Sequence, residues 1–83
     1  MADSPEPRGD EETAVPGGLD AAIGARLQVL RQARGLSLGA LAEASGVSKA
    51  MISRVERAQS SATAALLGRL AAGLGTTLSE LLV

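Results

Sequence analysis

The stretch Leu36–Arg57, LSLGALAEASGVSKAMISRVER, decides the fold of this chain. Its apolar residues recur with the spacing of two short amphipathic helices, and Gly46 separates those helices. Glycine tolerates the positive φ that a tight turn between two helices requires. Ser37 and Ser48 precede the two apolar runs, and a serine in that place is typical of a helix N-cap. The stretch therefore predicts a helix-turn-helix.

Helical spacing continues on both sides of this motif. On the N-terminal side, Ile23, Leu27 and Leu30 form one apolar stripe, which predicts a first helix from Leu19 that ends near Gly35. On the C-terminal side, a fourth helix is predicted from either Ser61 or Thr63 to Gly75, and the capping-box sequence at 77–80 opens a short fifth helix. The residues predicted to face inward in helices two and three are Leu38, Leu41, Ala42, Ser45, Val47, Ile52 and Val55, and the apolar residues of helix four are Leu66, Leu67, Leu70, Ala71 and Leu74. In helix five, Leu78, Leu81 and Leu82 form either a dimer seam or the closing end of the core. No strand pattern is present, so we expect an all-α, compact five-helix bundle.

The charge of the chain is unevenly distributed. Residues 1–18 carry five carboxylates against one arginine, a net charge of −4, together with all three prolines. Such a segment has too little apolar surface to offset the entropy of ordering, so we predict a disordered acidic tail over 1–18 and a domain over 19–83. That domain carries seven cationic side chains against four carboxylates, a net charge of +3, which favours a polyanionic partner. The tail is either a solvated leader without a role or a competitor for the basic surface.

The composition excludes several classes of function. The 83 residues include no Cys and no His, which removes disulfides, thiol nucleophiles, imidazole bases and nearly all zinc sites, so we predict no enzyme, no metal and no cofactor. No segment is apolar and long enough to be a membrane span or a signal peptide, which indicates a cytoplasmic protein. The core contains no aromatic residue, and a domain this small is marginally stable alone, so we expect a homodimer.

The third predicted helix, about 48–57, has an outward side suited to the major groove of DNA. If Ile52 and Val55 face the core, the outward positions include Ser48, Lys49, Ala50, Ser53 and Arg54. Lysine and arginine donate to guanine, serine to several base edges, and an alanine methyl contacts the thymine methyl. These five residues are the predicted base-reading set.

The motif at about 38–57 resembles the helix-turn-helix of the Cro and phage-repressor family, the Xre-type regulators. The resemblance runs from about Ile23 to Leu82. The residues that carry it are Leu36-Ser37-Leu38, Leu41-Ala42, Gly46-Val47-Ser48, Ile52-Ser53 and Val55-Glu56-Arg57. The resemblance implies a lambda-repressor-like domain that reads double-stranded DNA as a dimer, in a bacterial repressor or a regulator that acts either way. It also implies a C-terminal cupin sensor domain in some longer members.

Further roles follow from the same resemblance. It implies an ion pair between Arg31 and Glu56 that joins helix one to helix three. It implies phosphate contacts from Arg31, Ser37, the backbone at Leu38, Arg57 and Ser61. Ala42, Gly46, Ile52, Val55 and Glu56 are implied as structural residues. The sequence departs from the family pattern at Leu38, where glutamine is common, and at Ala58, where glycine is common.

A second function stays open at this point. The same fold serves protein-interaction or antitoxin-type modules, which bind a protein through a surface such as the leucine-rich end at 78–82. The absence of glutamine at Leu38 and the nearly neutral total charge of −1 favour this alternative.

Overall fold

The computed structural model describes residues 17–82, which form five α-helices and no strand, as predicted. The helices are α1 (Gly17–Ala33), α2 (Leu38–Ser45), α3 (Lys49–Glu56), α4 (Ala64–Leu74) and α5 (Leu78–Leu82). Helix α1 begins two residues before the predicted start at Leu19, so Gly17 and Gly18 belong to the helix and not to the tail. The rest of the predicted tail, residues 1–16, and Val83 lie outside the described residues.

Hydroxyl side chains set the starts of α2, α3 and α4. Ser37, Ser48 and Thr63 occupy extended N-cap positions, and each side-chain oxygen accepts a hydrogen bond from a backbone N–H three residues later. The distances are 3.0 Å from the Ala40 nitrogen, 3.1 Å from the Met51 nitrogen and 3.1 Å from the Leu66 nitrogen. Of the two residues predicted as possible starts of α4, Thr63 is therefore the N-cap, and Ser61 precedes the helix.

The capping box predicted at the start of α5 is half formed. The Glu80 N–H donates to Thr77 Oγ1 over 3.3 Å, but the Glu80 carboxylate points elsewhere, with Oε1 3.9 Å from Arg26 Nη2. Arg26 Nε also donates to the Glu80 backbone oxygen over 3.0 Å. The carboxylate therefore helps to tie α5 to α1 instead of capping its own helix.

Positive φ angles mark the turns that orient α3. Gly46, at φ 76°, ends α2 and allows the sharp turn into α3, as the sequence predicted. At the other end of α3, Ala58 adopts φ 57°, the one non-glycine residue with positive φ among the described residues. Its N–H donates to the Val55 oxygen over 3.0 Å, and the Gln59 N–H donates to the Arg54 oxygen over 2.8 Å, which together form a Schellman motif. This explains why glycine is common at the position of Ala58.

The core is entirely aliphatic. Its fully buried side chains come from all five helices: Leu27, Leu41, Ile52, Val55, Leu70 and Leu81. Of the leucines that the sequence left open between the core and a dimer seam, Leu81 is 1% exposed and closes the end of the core, whereas Leu82 is 51% exposed.

Two glycines allow close approaches between helices. A Cβ built on Gly24 of α1 would lie 2.4 Å from the Val55 backbone oxygen and 2.8 Å from that of Glu56, both in α3. A Cβ on Gly73 of α4 would lie 2.9 Å from Ser45 Cβ at the end of α2. The first contact brings the backbone of α3 directly onto α1, which fixes the position of α3.

Candidate nucleic-acid interface

The inner side of α3 anchors the helix in the core. Val47 is 5% exposed, Ile52 is 0% and Val55 is 2%, so the three residues predicted to pin this helix are buried. Ala42 of α2 is half-buried and packs against the same core, as expected for a small residue between two crossing helices. Because the inner side of α3 is anchored in the core, its opposite side faces solvent in a fixed position.

An ion pair between Arg31 and Glu56 locks α3 to α1, as the resemblance implied. Arg31 Nε donates to Glu56 Oε2 over 2.6 Å, and Nη2 donates to Oε1 over 3.0 Å. The two side chains are only 11% and 7% exposed. Nη1 of the same arginine donates to the Leu36 backbone oxygen over 2.9 Å, which also holds the α1–α2 connection. This bidentate geometry is the strong form of a carboxylate–guanidinium pair.

The electrostatic environment keeps Arg31 charged. Hydrogen bonding to Glu56 raises the pKa of Arg31 above its usual value, burial opposes that shift, and the negative charge of Glu56 adds to it. Three of the five N–H groups of Arg31 are already engaged within the domain. The phosphate contact predicted for Arg31 would have to use the two N–H groups that remain. The main role of Arg31 in this geometry is therefore to hold the helices together.

Six residues form the outer face of α3: Ser48, Lys49, Ala50, Ser53, Arg54 and Arg57. All are exposed except Ser53, which is half-buried. Neither Lys49 nor Arg54 forms an ion pair with a carboxylate among residues 17–82, and both are exposed. The residues predicted to read bases thus share one accessible surface, with Arg57 at its C-terminal end.

The two serines of the outer face are engaged as hydrogen-bond acceptors. Ser48 Oγ caps α3 by accepting from the Met51 N–H, and Ser53 Oγ accepts from Arg57 Nη2 over 2.9 Å. Sequence reasoning identified the Ser48 cap but missed the bond from Arg57 to Ser53, although their i, i+4 spacing could have suggested it. Each serine retains its hydroxyl hydrogen for donation to a ligand.

Backbone amides add further donors next to the outer face. The first N–H groups of a helix have no acceptor within that helix, and they favour an anion. Those of α2 begin at Leu38 and those of α3 at Lys49, each next to a serine N-cap. The predicted backbone contact at Leu38 needs only its main chain, so the absence of glutamine does not remove it.

The predicted phosphate ligand Ser61 has an intramolecular partner. Its hydroxyl donates to Asp20 Oδ2 over 2.9 Å, which ties the α3–α4 connection to the first turn of α1. A phosphate oxygen would have to displace the Asp20 carboxylate to accept that proton. The phosphate contact of Ser61 stays a prediction.

Within residues 17–82, the Asp and Glu side chains form no group of three or more that could hold a metal ion. No helix in the same range is long and apolar enough to cross a membrane.

Comparison with known proteins places this geometry among helix-turn-helix domains. A profile of the helix-turn-helix domain family matches residues 22–82. The chain is 55% identical over 53 residues to the HTH-type transcriptional regulator SutR of Escherichia coli K12, a match that covers 64% of this chain and 30% of that protein.

Solved structures of similar proteins share the fold. An HTH_3 family transcriptional regulator from Vibrio cholerae has a TM-score of 0.77 and 43% identity, over 78% of this chain and 36% of that chain. The restriction-modification controller protein C.AhdI from Aeromonas hydrophila has a TM-score of 0.73 and 35% identity, over 75% of this chain and 94% of that chain. This chain thus spans about a third of the length of the Escherichia coli and Vibrio cholerae relatives.

Proposed function

Because the chain belongs to the helix-turn-helix domain family, we propose that it binds specific sequences of double-stranded DNA and regulates transcription in a bacterial cytoplasm. The family is one of DNA-binding transcriptional regulators and not of enzymes, as the sequence analysis expected. In this proposal α3 enters the major groove, the outer face of α3 contacts base edges, and the bound protein either represses transcription or acts in both directions.

One observation carries the proposal. Lys49 and Arg54 extend from a helix whose opposite side is buried and whose carboxylate Glu56 is locked to Arg31. A rigid helix with exposed donors can place those donors against base edges, because base readout requires a defined side-chain position. Arg57 and the first amides of α2 and α3 would contact phosphates and set the register of the protein on the duplex.

Homodimer formation is part of the proposal. The exposed large apolar residues of the described range are Leu19, Val29 and Leu82, which are 44%, 57% and 51% exposed. A second copy covering Leu82 would extend the aliphatic core beyond Leu81 and add stability to a domain that is marginally stable alone. A dimer would then contact two half-sites about 34 Å apart, one helical turn of DNA.

The same exposed apolar residues favour the alternative function, a protein-interaction or antitoxin-type module. In that case Leu82 and its neighbours would bind another protein, and the outer face of α3 would be solvated charge. The sensor domain of a longer regulator stays a prediction, because the match to the family covers only the helix-turn-helix domain.

Selection from random duplexes separates these functions. The protein would be incubated with a pool of random duplexes, and enriched sequences would be titrated by mobility shift at 50 and 200 mM salt. We expect one family of sequences to be enriched and the affinity to fall by about 10³–10⁵-fold between these salt concentrations if six to ten phosphates are contacted.

A matched pair of variants gives the control. Lys49→Ala combined with Arg54→Ala removes two cations from the outer face of α3, whereas Arg69→Ala removes one exposed cation from α4. We expect the double variant to lose about 1–3 kcal/mol of binding free energy per lost base contact, and Arg69→Ala to lose little. The proposal is wrong if no sequence is enriched and the double variant binds DNA as the wild type does.

A further inference from the structure

We propose that each half-site presents guanine to Lys49 and to Arg54, and that the protein rejects adenine at those two positions. This inference rests on the proposed function. It derives from the kinds of hydrogen-bonding group on the outer face of α3, which consists of donors and one methyl group. We also expect thymine opposite Ala50, because thymine presents a methyl group in the major groove that the alanine methyl can contact.

The outer face of α3 carries no amide or carboxylate side chain. The one carboxylate of α3 is Glu56, which is 7% exposed and bonded through both oxygens to Arg31. The exposed amide of Gln59 lies beyond the end of the helix. Lysine and arginine have no acceptor.

The serines strengthen this donor character. Ser48 Oγ already accepts from the Met51 N–H, and Ser53 Oγ already accepts from Arg57 Nη2. The hydroxyl hydrogen of each serine remains available for a hydrogen bond to a ligand. The N–H and O–H groups on the outer face of α3 that remain unused are therefore available as donors to the acceptor atoms of a ligand.

Base pairs differ in how many acceptors they expose in the major groove. Guanine presents two adjacent acceptors, O6 and N7, whereas adenine presents the N7 acceptor beside the N6 donor, cytosine presents the N4 donor, and thymine presents the single O4 acceptor beside its methyl group. A guanidinium or ammonium group satisfies both guanine atoms but meets a donor on adenine or cytosine. Asparagine, glutamine or a carboxylate would be needed to accept from those bases, and the outer face has none of them.

The two cations lie close enough to read one half-site. Lys49 and Arg54 are five residues apart, which corresponds to about 7.5 Å along the helix axis and about 140° around it, so they lie at the two edges of the outer face of α3. Because both side chains belong to one helix of eight residues, the two guanines should lie in the same half-site. Ala50 and Ser53 lie between the two cations along the helix.

Modified bases test the inference at single atoms. In the selected duplex, each guanine of the half-site is replaced in turn by 7-deazaguanine, which lacks the N7 acceptor, or by inosine, which retains O6 and N7. We expect 7-deazaguanine at two positions to raise the Kd by about 5-fold or more, the lower limit for a good base contact, and inosine to leave it within about 2-fold.

Variants assign each guanine to its side chain. With Arg54→Ala, one of the two positions should bind guanine and 7-deazaguanine equally, and with Lys49→Ala the other position should do so. Arg54→Gln should shift selection at its position from guanine to adenine, because an amide pairs with adenine. Circular dichroism checks that these exposed substitutions leave the helices intact.

The outcomes distinguish this inference from the function on which it rests. Enriched sequences that hold adenine, cytosine or thymine at the two positions, or 7-deazaguanine that binds as well as guanine, overturn the guanine assignment and leave the proposed function intact. A pool in which no sequence is enriched overturns both. Guanine at two positions with the stated N7 dependence supports the inference.

Discussion

Replacing Glu56 by alanine should destabilise the domain more than any exposed substitution on α3. The change removes two hydrogen bonds, of 2.6 and 3.0 Å, and leaves the Arg31 guanidinium 11% exposed without its counter-ion. Leaving one partner of a buried ion pair uncompensated costs about 3–5 kcal/mol. Because Arg31 keeps its bond to the Leu36 oxygen and some contact with water, we expect about 2–3 kcal/mol.

That loss is large for this domain. Natural domains have free energies of unfolding of about 0.05–0.15 kcal/mol per residue, which is about 3–10 kcal/mol here. Glu56→Gln retains one carbonyl acceptor but no charge, so we expect roughly half the effect, about 1–2 kcal/mol. The combined variant Arg31→Met with Glu56→Leu removes both charges together and should recover most of the stability, because no charge is left buried without a partner.

Urea unfolding followed by far-ultraviolet circular dichroism measures these differences. The single variants Arg31→Met and Glu56→Leu form a mutant cycle with their combination, and its coupling free energy isolates the pair from the loss of packing. A Glu56→Ala protein within about 0.5 kcal/mol of the wild type, the range of ordinary surface substitutions, would refute the view that this ion pair holds α3 on α1.

Three further changes test other parts of the fold by the same unfolding measurement. Gly24→Ala should lower the free energy of unfolding by about 3 kcal/mol or more, because the added Cβ would lie 2.4 Å from a backbone oxygen. Gly68→Ala is the control, since its Cβ would enter open space, and it should stabilise α4 by about 0.5–1 kcal/mol. Equal effects of the two substitutions would contradict the close approach of α1 and α3. Ala58→Gly should stabilise the domain by about 0.5–1 kcal/mol, because glycine adopts the positive φ of this position without the steric strain of a Cβ. A loss of stability would refute the presence of strain at Ala58. Thr63→Ala should cost about 1 kcal/mol through the lost cap, and no change would show that the cap is dispensable.

Sequence reasoning succeeded where the signal is local. The caps at Ser37 and Ser48 and the turn at Gly46 depend on residues within one helical turn, and the structure confirms all three. The ion pair between Arg31 and Glu56 joins residues 25 positions apart, and only the family resemblance indicated it. Local pattern alone contains no information about such a pairing.

Sequence reasoning failed where three-dimensional packing decides. The need for glycine at position 24 arises from a backbone in α3 that the local sequence of α1 cannot reveal. The choice between Leu81 and Leu82 for burial depends on how α5 rotates against α1, because both residues are apolar. The hydrogen bond from Ser61 to Asp20 joins residues 41 positions apart, which the local pattern could not indicate.

Disulfide trapping on DNA tests most directly the claim that α3 enters the major groove. The chain contains no cysteine, so Ala50→Cys introduces a single thiol on the outer face of α3, and Ala72→Cys provides an exposed control on α4. Each protein would be mixed with selected duplexes that carry a tethered thiol on cytosine N4, in the major groove, or on guanine N2, in the minor groove. The account predicts cross-linking of the Ala50→Cys protein to the cytosine tether alone; cross-linking to the guanine tether, or equal cross-linking of the Ala72→Cys protein, would contradict it.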